Sequence, residues 1–419
     1  MSRLVPLLLA AALLLTGCGG PGDDAGTTAL GAATGGPMTF VVGKDTTSYF
    51  QPLLDRWNRA HPGEQVRMLE LPEAADEQRA QMVANLQARN ERFDILALDT
   101  IWTAEFAEAG WIVPLDAGMF PLGEFFPGAV KTAMYKGKLY AVPYSTNAGL
   151  LYYRKDILDK EGLKPPTTWA ELREQASRLS RDHDIGGYAG QFLPYEGLTV
   201  NYLEAVQSAG GELLNADGTV ANVDDRARKA LDFLVDGVRE GWIPQEALSY
   251  KEEEARQAFQ QGRLLFARNW PYAYGPAKDS PVKGKFAVAP LPGADGPGTS
   301  TLGGYNLALN ASSKRQKPAL EFIRYFTGLD NQRLVLTEGS FAPVWARLYD
   351  DPELVEEFPY LPVLKETILR ARPRPVSDNY NQISLVIADN VSDAMAFRRS
   401  PAETVTRLRQ QLAQTIRTP

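Results

Sequence analysis

The chain is short of several things, and each shortage excludes a class of function. It has one cysteine, Cys18, in 419 residues, so no disulfide can form within the chain and thiol catalysis has no local support. Histidine is almost as scarce: His61 and His183 are the only two. They sit in polar turn contexts far apart in sequence, which argues against a histidine-based nucleophile system and against a zinc site. Charge of a single sign is missing too. The 44 basic and 51 acidic residues are scattered, leaving a formal net charge of -7 and no electrostatic footprint for nucleic acid. The basic cluster Lys314-Arg315-Gln316-Lys317 reads as a solvated face. No internal repeat is evident, and nothing resembles a P-loop.

With 44% hydrophobic and 23% charged residues, the sequence reads as an ordinary globular protein, long enough for two domains of roughly 150–200 residues each. Its start is a different object. Arg3 precedes an apolar run from Leu4 to Leu15, interrupted by Pro6, which is too short for a membrane-spanning helix of about 20 residues. Residues 1–17 are therefore expected to be an export signal. The sequence LTGC, Leu15 to Cys18, resembles the bacterial lipobox, in which the cysteine is lipidated and becomes the first mature residue. Residues 18–37, rich in Gly, Ala, Thr and Asp, have little to bury and are expected to be a flexible tether.

Beyond the tether the hydrophobic period alternates between strand and helix. TFVVGKD (Thr39 to Asp45) reads as a buried strand, and Tyr49 to Ala60 carries Tyr49, Phe50, Leu53, Leu54 and Trp57 at helical spacing. QVRMLEL is a second strand; Glu73 to Arg89 is a helix with Met82, Val83 and Leu86 inward; RFDILALD is a third strand, followed by a helix containing Trp102 to Ala109. A β-α-β-α-β order predicts a mostly parallel sheet with right-handed crossovers, and ligands bind outside the carboxyl ends of such strands. Lys44-Asp45-Thr46, Leu71-Pro72-Glu73 and Asp99-Thr100 fall there together. Asp99 is either the cap of the following helix or an acceptor for a polar guest, since a buried carboxylate is costly without partners.

A second region begins near YAVPYSTNAGLLYYRKD, where a strand-like run breaks at Pro143 and resumes, as if crossing between lobes. PPTTWAELREQASRL opens a helix capped by Thr167 or Thr168, with Glu171 placed for a capping box. Leu198 to Ser208 and Arg226 to Arg239 are further amphipathic helices, separated by the turn NADGTV. RLLFARNWPYAYGP and FAVAPLPG continue this region, and TLGGYNLALN is a strand. The helix beginning near Lys317 is expected back in the first lobe, and Pro352 to Thr418 reads as helical, broken by RARPRPVSDNYNQIS.

A lipobox, a tether, and then YSTNAGLLYYRKDIL, GRLLFARNWPYAY, LGGYNLAL and RPRPVSDNYNQIS in that order resemble the extracellular solute-binding lipoproteins of carbohydrate ABC importers, with the trehalose/maltose-binding branch as the nearest group. The resemblance implies a two-lobed periplasmic-binding-protein fold of type II, each lobe a mostly parallel sheet flanked by helices. The expected division is 38–146 plus 305–345 for the first lobe and 147–304 plus 346–419 for the second. It further implies a monomer, lipid-anchored at Cys18 to the outer face of the cell membrane, that closes around a disaccharide, most of all trehalose, then maltose or a related alpha-glucoside. The closed form would dock on a permease whose ATPase subunits are separate chains. No cofactor and no metal are expected.

A disaccharide offers hydroxyls that donate and accept, and ring faces that are patches of C–H groups. Its site needs carboxylates and amides, a forked arginine and flat aromatic surfaces. Asp99, with Asp45 and Thr46 at a neighbouring strand end, is expected to meet the sugar. The resemblance assigns Asn147 to a sugar contact, Tyr144 to stacking or donation, and Arg374, before Pro-Val, to the cleft arginine in preference to Arg372. It assigns Trp270 and Tyr272 to the aromatic platform of the second lobe. Gly303 and Gly304 would let backbone approach a ligand, and Tyr305 stands where relatives often carry Trp. Arg79 and Glu196 are further expected contacts. Trp102 has helical spacing with Phe106 and Ala109 and is expected in the core.

Catalytic readings fare worse. SPVK (Ser280 to Lys283) and SDN (Ser377 to Asn379) superficially match motifs of penicillin-interacting serine enzymes, but Pro281 lies in a Gly/Pro-rich loop and no Lys-Thr-Gly follows Asn379. A glycoside-processing surface lipoprotein is the alternative, because two carboxylates about 5–10 Å apart in a sugar cleft would suffice for hydrolysis. The expectation is reversible binding without turnover.

Overall fold

Met38–Val42 is wholly apolar apart from Thr39 and has helices before and after its neighbours in sequence, so it can be buried only as a central parallel strand. In the computed structural model, which describes residues 36–45, 48–215 and 218–416, it pairs in parallel with Val66–Glu70 on one side and Ile95–Asp99 on the other. The expected signal, Cys18 with its expected lipidation, most of the expected tether, Thr46 and Asp217 of the NADGTV turn lie outside the described residues.

The crossover helices are Phe50–Ala60 and Ala75–Gln87. The first buries Phe50, Leu53, Leu54 and Trp57, as their spacing predicts. The second buries Met82 and Leu86 and leaves Val83 half-buried. Phe40 meets Phe50 edge-on at 5.3 Å and Phe322 and Phe326 at 5.7 and 5.8 Å. Those last two rings belong to helix Gln316–Phe326, so the segment near Lys317 does pack back on this sheet. Trp102 caps the short helix Thr103–Glu108, is buried, and stacks on Phe106.

On its far side Ile95–Asp99 runs antiparallel to Thr301–Leu309, with Asp99 opposite Tyr305. That strand also pairs antiparallel with Ala141–Ala148, which sets Tyr305 opposite Ser145 and Gly303 opposite Asn147. One ladder therefore brings Asp99, Tyr305, Gly303 and Asn147 to one region. Pro143 does not break the Ala141–Ala148 strand. The register slips there, with Tyr305 facing Ser145 and Asn306 facing Pro143, and such an irregularity tolerates a residue with no N–H. The break falls at Gly149, the single residue before strand Leu150–Arg154.

Leu150–Arg154 starts the second sheet, ordered Phe286–Ala289, Leu150–Arg154, Leu264–Asn269, Gly186–Ala189. The expectation of a mostly parallel sheet in each lobe holds for the first and not for this one. Leu150–Arg154 is antiparallel to both neighbours, and only Gly186–Ala189 with Leu264–Asn269 is parallel. The chain enters this sheet straight along the crossing rather than through a helical crossover, and a direct connection imposes no parallel direction.

Helix Trp169–His183 covers the second sheet and is opened by the expected capping box, with Thr168 as the cap. Helix Tyr380–Met395 packs on Glu196–Ser208, and Pro401–Thr415 on Asp225–Glu240. Between the C-terminal helices, Arg372–Pro373 adds a short parallel strand beside Thr301–Leu302 of the first sheet. Among the described residues no helix is long and apolar enough to cross a membrane.

Candidate functional site

The carboxyl ends of the three parallel strands open onto a cleft of about 150 Å³ between the two sheets. Eleven of the expected site residues line it: Asp45, Asp99, Tyr144, Asn147, Glu196, Trp270, Tyr272, Gly303, Gly304, Tyr305 and Arg374. Arg79 does not. Its guanidinium is engaged by both carboxylate oxygens of Glu105, which faces it from helix Thr103–Glu108, so it is structural on this geometry. Asp45 has a second task, because its carboxylate accepts from the Phe50 N–H at 3.1 Å at the start of the first crossover helix.

Charge on the first wall is held by one arginine. Arg374, 5% exposed, donates to Asp99 Oδ1 at 2.7 Å, to Glu196 Oε1 at 2.7 Å and to Thr100 Oγ1 at 3.0 Å. Arg372, two residues earlier, is exposed: it lies in the exposed two-residue strand Arg372–Pro373, and the chain turns inward only after that strand ends. Glu196 is not a solvated helix end. It is buried, accepts from the Tyr380 hydroxyl at 3.0 Å and from the Ser384 hydroxyl, and burial pushes its carboxyl up to about 7 against the pull of Arg374. Besides Arg374, Asp99 accepts from the Ile101 N–H at 3.2 Å, closing the turn before the helix, whose cap position is Trp102.

The rim is bridged as well. Asp76 Oδ2 accepts from the Glu196 N–H at 3.4 Å, and Glu77 faces Lys251 at 3.7 Å. Burial raises the Asp76 carboxyl.

Aromatic rings line the cleft from both sheets, with Trp270 and Tyr272 on the second wall. Tyr144 and Tyr305 stack at 6.0 Å, and Tyr49 stacks on Phe341 at 4.6 Å. The Tyr272 hydroxyl donates to Glu253 at 2.7 Å, and that of Tyr195 to Glu252. Trp270 lies edge-on to Gly303, where a Cβ would come within 2.4 Å of Asn147 Oδ1 and 2.9 Å of the indole. Gly304 has φ +131°, and a Cβ there would meet the Ser145 carbonyl oxygen at 2.2 Å. The glycine pair thus lets protein approach protein at the cleft floor.

The lining carries six carboxylates, Asp45, Glu73, Asp99, Glu196, Glu252 and Glu253, against Lys44 and Arg374. Such a cavity accepts hydrogen bonds, repels anions and offers flat apolar faces, which suits a neutral polyhydroxylated solute. Residues 43–333 match the family model for bacterial extracellular solute-binding proteins. The chain belongs to that family. A probable ABC transporter-binding protein of Deinococcus radiodurans is 33% identical over 372 residues, covering 86% of this chain and 88% of that one. The solved structure of maltose-bound MalE3 of T. maritima superimposes with a TM-score of 0.86 at 35% identity, covering 90% of this chain and 98% of that one. A mannitol-binding protein of Pseudomonas aeruginosa is 27% identical, over 77% of this chain and 76% of its own length. The homologues of this solute-binding protein are binders of solute rather than enzymes.

Several lining residues of this solute-binding protein escape a reading of the sequence. Tyr49 and Phe50 read as helix core and are core, yet both also face the cleft. Tyr195, Glu252 and Phe341 lie in segments with no strand-end signal. The one available clue was the acidic run Glu252-Glu253-Glu254 at the start of a helix, which has the same form as an ordinary first-turn charge preference.

Proposed function

We propose that the protein captures a disaccharide in this cleft, trehalose first and maltose or a related alpha-glucoside next, and delivers it to the permease of an ABC importer whose ATPase subunits are separate chains. It would work as an exported monomer, held at the outer face of the membrane by lipid on Cys18, without turnover of the sugar. The lobes would divide at 38–146 plus 305–345 and 147–304 plus 346–419, with Gly149 in one crossing.

One observation carries the reading: a charge-paired wall around Arg374 and a wall of ring faces around Trp270 and Tyr272 meet across one cavity. Relatives described as binding maltose, mannitol and alpha-D-tagatose support a polyhydroxylated ligand. Micromolar affinity needs roughly -8 kcal/mol, and a net hydrogen bond contributes only about 0.5–1.5 kcal/mol, so ring burial must supply much of the rest. A cavity of about 150 Å³ holds roughly one small ring; a two-ring sugar would enter with the lobes apart and close them by hinge motion. Hydrolysis gains no support from the first wall, where Asp99 and Glu196 are both committed to the same guanidinium.

Calorimetric titration of the mature protein against trehalose, maltose and mannitol tests the proposal. Saturable binding of a disaccharide, with the sugar recovered unaltered, is expected. Asp99→Ala should weaken it at least tenfold, about 1.4 kcal/mol. Absence of heat with every sugar, or recovery of cleaved sugar, overturns the reading.

A further inference from the structure

Behind the aromatic wall lies an ion pair that no ligand contact explains. The side chains of Arg268 and Glu204 are 1% and 4% exposed. Arg268 donates in a fork, Nε to Glu204 Oε2 at 2.8 Å and a terminal nitrogen to Oε1 at 2.7 Å, and its other terminal nitrogen donates to Gln191 Oε1 at 2.9 Å. Buried pairs of this kind add little net stability over apolar residues of similar volume, so their geometry is the more informative property.

That geometry leads to Trp270. The Arg268 guanidinium carbon sits 3.9 Å from the centre of the indole, well inside the range of about 6 Å for attraction between a cation and a ring face. Because Glu204 fixes the guanidinium plane, the plane in turn fixes the tilt of the ring. The main chain of Trp270 is pinned independently: its N–H donates to Asn269 Oδ1 at 2.8 Å and its carbonyl accepts from the Tyr152 hydroxyl at 2.8 Å. One ring edge rests on Gly303.

The same pair touches two of the segments that run between the sheets. Glu204 Oε1 accepts from the Thr301 N–H at 3.1 Å, at the start of the strand that carries Gly303 and Tyr305. At Gly149 a Cβ would lie 2.6 Å from both Glu204 Oε1 and an Arg268 terminal nitrogen. Ser300 Oγ donates to the Gly149 carbonyl at 2.6 Å, tying the two crossings together at that point.

We propose that Arg268, clamped by Glu204, is a positioning residue that sets the angle at which Trp270 presents its free face to the ligand and links that angle to the two crossing strands. The proposal rests on the cleft being the ligand site, and its test separates the two.

Trp270 is followed by fluorine NMR in full-length protein labelled with 5-fluorotryptophan, its signal assigned by Trp270→Phe. Arg268→Lys keeps the charge and loses the plane. Arg268→Met with Glu204→Gln removes both charges while leaving an acceptor for Thr301, and is the variant expected to fold as well as the parent. In either, the Trp270 signal should shift and broaden while those of the other tryptophans stay; an unmoved Trp270 signal in folded variant overturns the proposal. Titration with maltose and trehalose adds the coupling. Arg268→Lys should weaken binding about tenfold when Trp270 is present and leave it unchanged in a Trp270→Ala background. Equal losses in both backgrounds overturn the positioning role. Should neither sugar bind the parent, the proposed ligand falls and the fluorine signal still decides the role of Arg268.

Discussion

Asp99 and Trp270 face one cleft from different sheets and are held in opposite ways. Asp99 ends a parallel strand and has its charge answered by Arg374 before any ligand arrives. Trp270 follows an antiparallel strand, has one face against Arg268 and remains half-buried on the side that lines the cleft. The first wall is thus a closed electrostatic circuit whose charges are nearly spent on each other; the second is a set of surfaces with unspent area. The larger share of binding energy should come from the second wall, while the first adds its acceptors and governs stability, orientation and the response to pH.

The largest effect that could break this division is at Arg374. Arg374→Ala removes the one cation that, among the described residues, pairs with both Asp99 and Glu196, leaving two carboxylates facing each other in a buried site. A stability loss of about 3–5 kcal/mol is expected, read as a lowered midpoint in urea or thermal unfolding. A variant as stable as the parent that had merely lost sugar affinity would show that the first wall acts on ligand and not on itself.

A smaller effect lies in pH. The Glu196 carboxyl is raised from an ordinary 4.5 to about 7 by burial, so between those values the folded protein retains a proton that the unfolded chain has released. Stability must therefore fall as pH rises through that window. The raised carboxyl of Asp76 adds a slope of the same sign. Glu196→Gln, which cannot titrate, should flatten the decline across pH 4.5–7 in denaturant-unfolding series. An unchanged slope would mean that the Arg374 circuit holds Glu196 ionised throughout.

The two walls also differ in how far the sequence reveals them. The strand ends that carry Asp45 and Asp99 follow from hydrophobic period alone, since β-α-β order fixes parallel direction and hence the ligand edge. Their partners do not. Arg374 is 275 residues from Asp99 and 178 from Glu196, and no local pattern encodes such a meeting. Glu196 shows why residue type misleads: an acid at a helix start is an ordinary surface feature, and only packing of Tyr380 and Ser384 against it makes it buried. In the second wall, Trp270 and Tyr272 were legible as interrupted aromatics, whereas the antiparallel direction of the sheet behind them was not, because five-residue apolar strands read alike in either direction. Arg79, expected at the ligand, does not line the cleft: it sits within helix Ala75–Gln87, and its partner Glu105 lies on a helix whose facing side the sequence leaves open.

That last residue gives the smallest effect and the sharpest boundary for the first wall. Arg79 and Glu105 are 15% and 16% exposed, so Arg79→Ala should cost about 1 kcal/mol of stability, the upper end for pairs near solvent. It is linked to the cleft electrostatically: Arg79 lowers the carboxyl of Asp76 against burial, and Asp76 accepts from the Glu196 N–H at the rim. In the variant, sugar affinity measured by calorimetry should stay within about twofold of the parent. A tenfold loss there would move Arg79 from scaffold to ligand contact, and the first wall would then hold a cation whose charge is not spent on its neighbours.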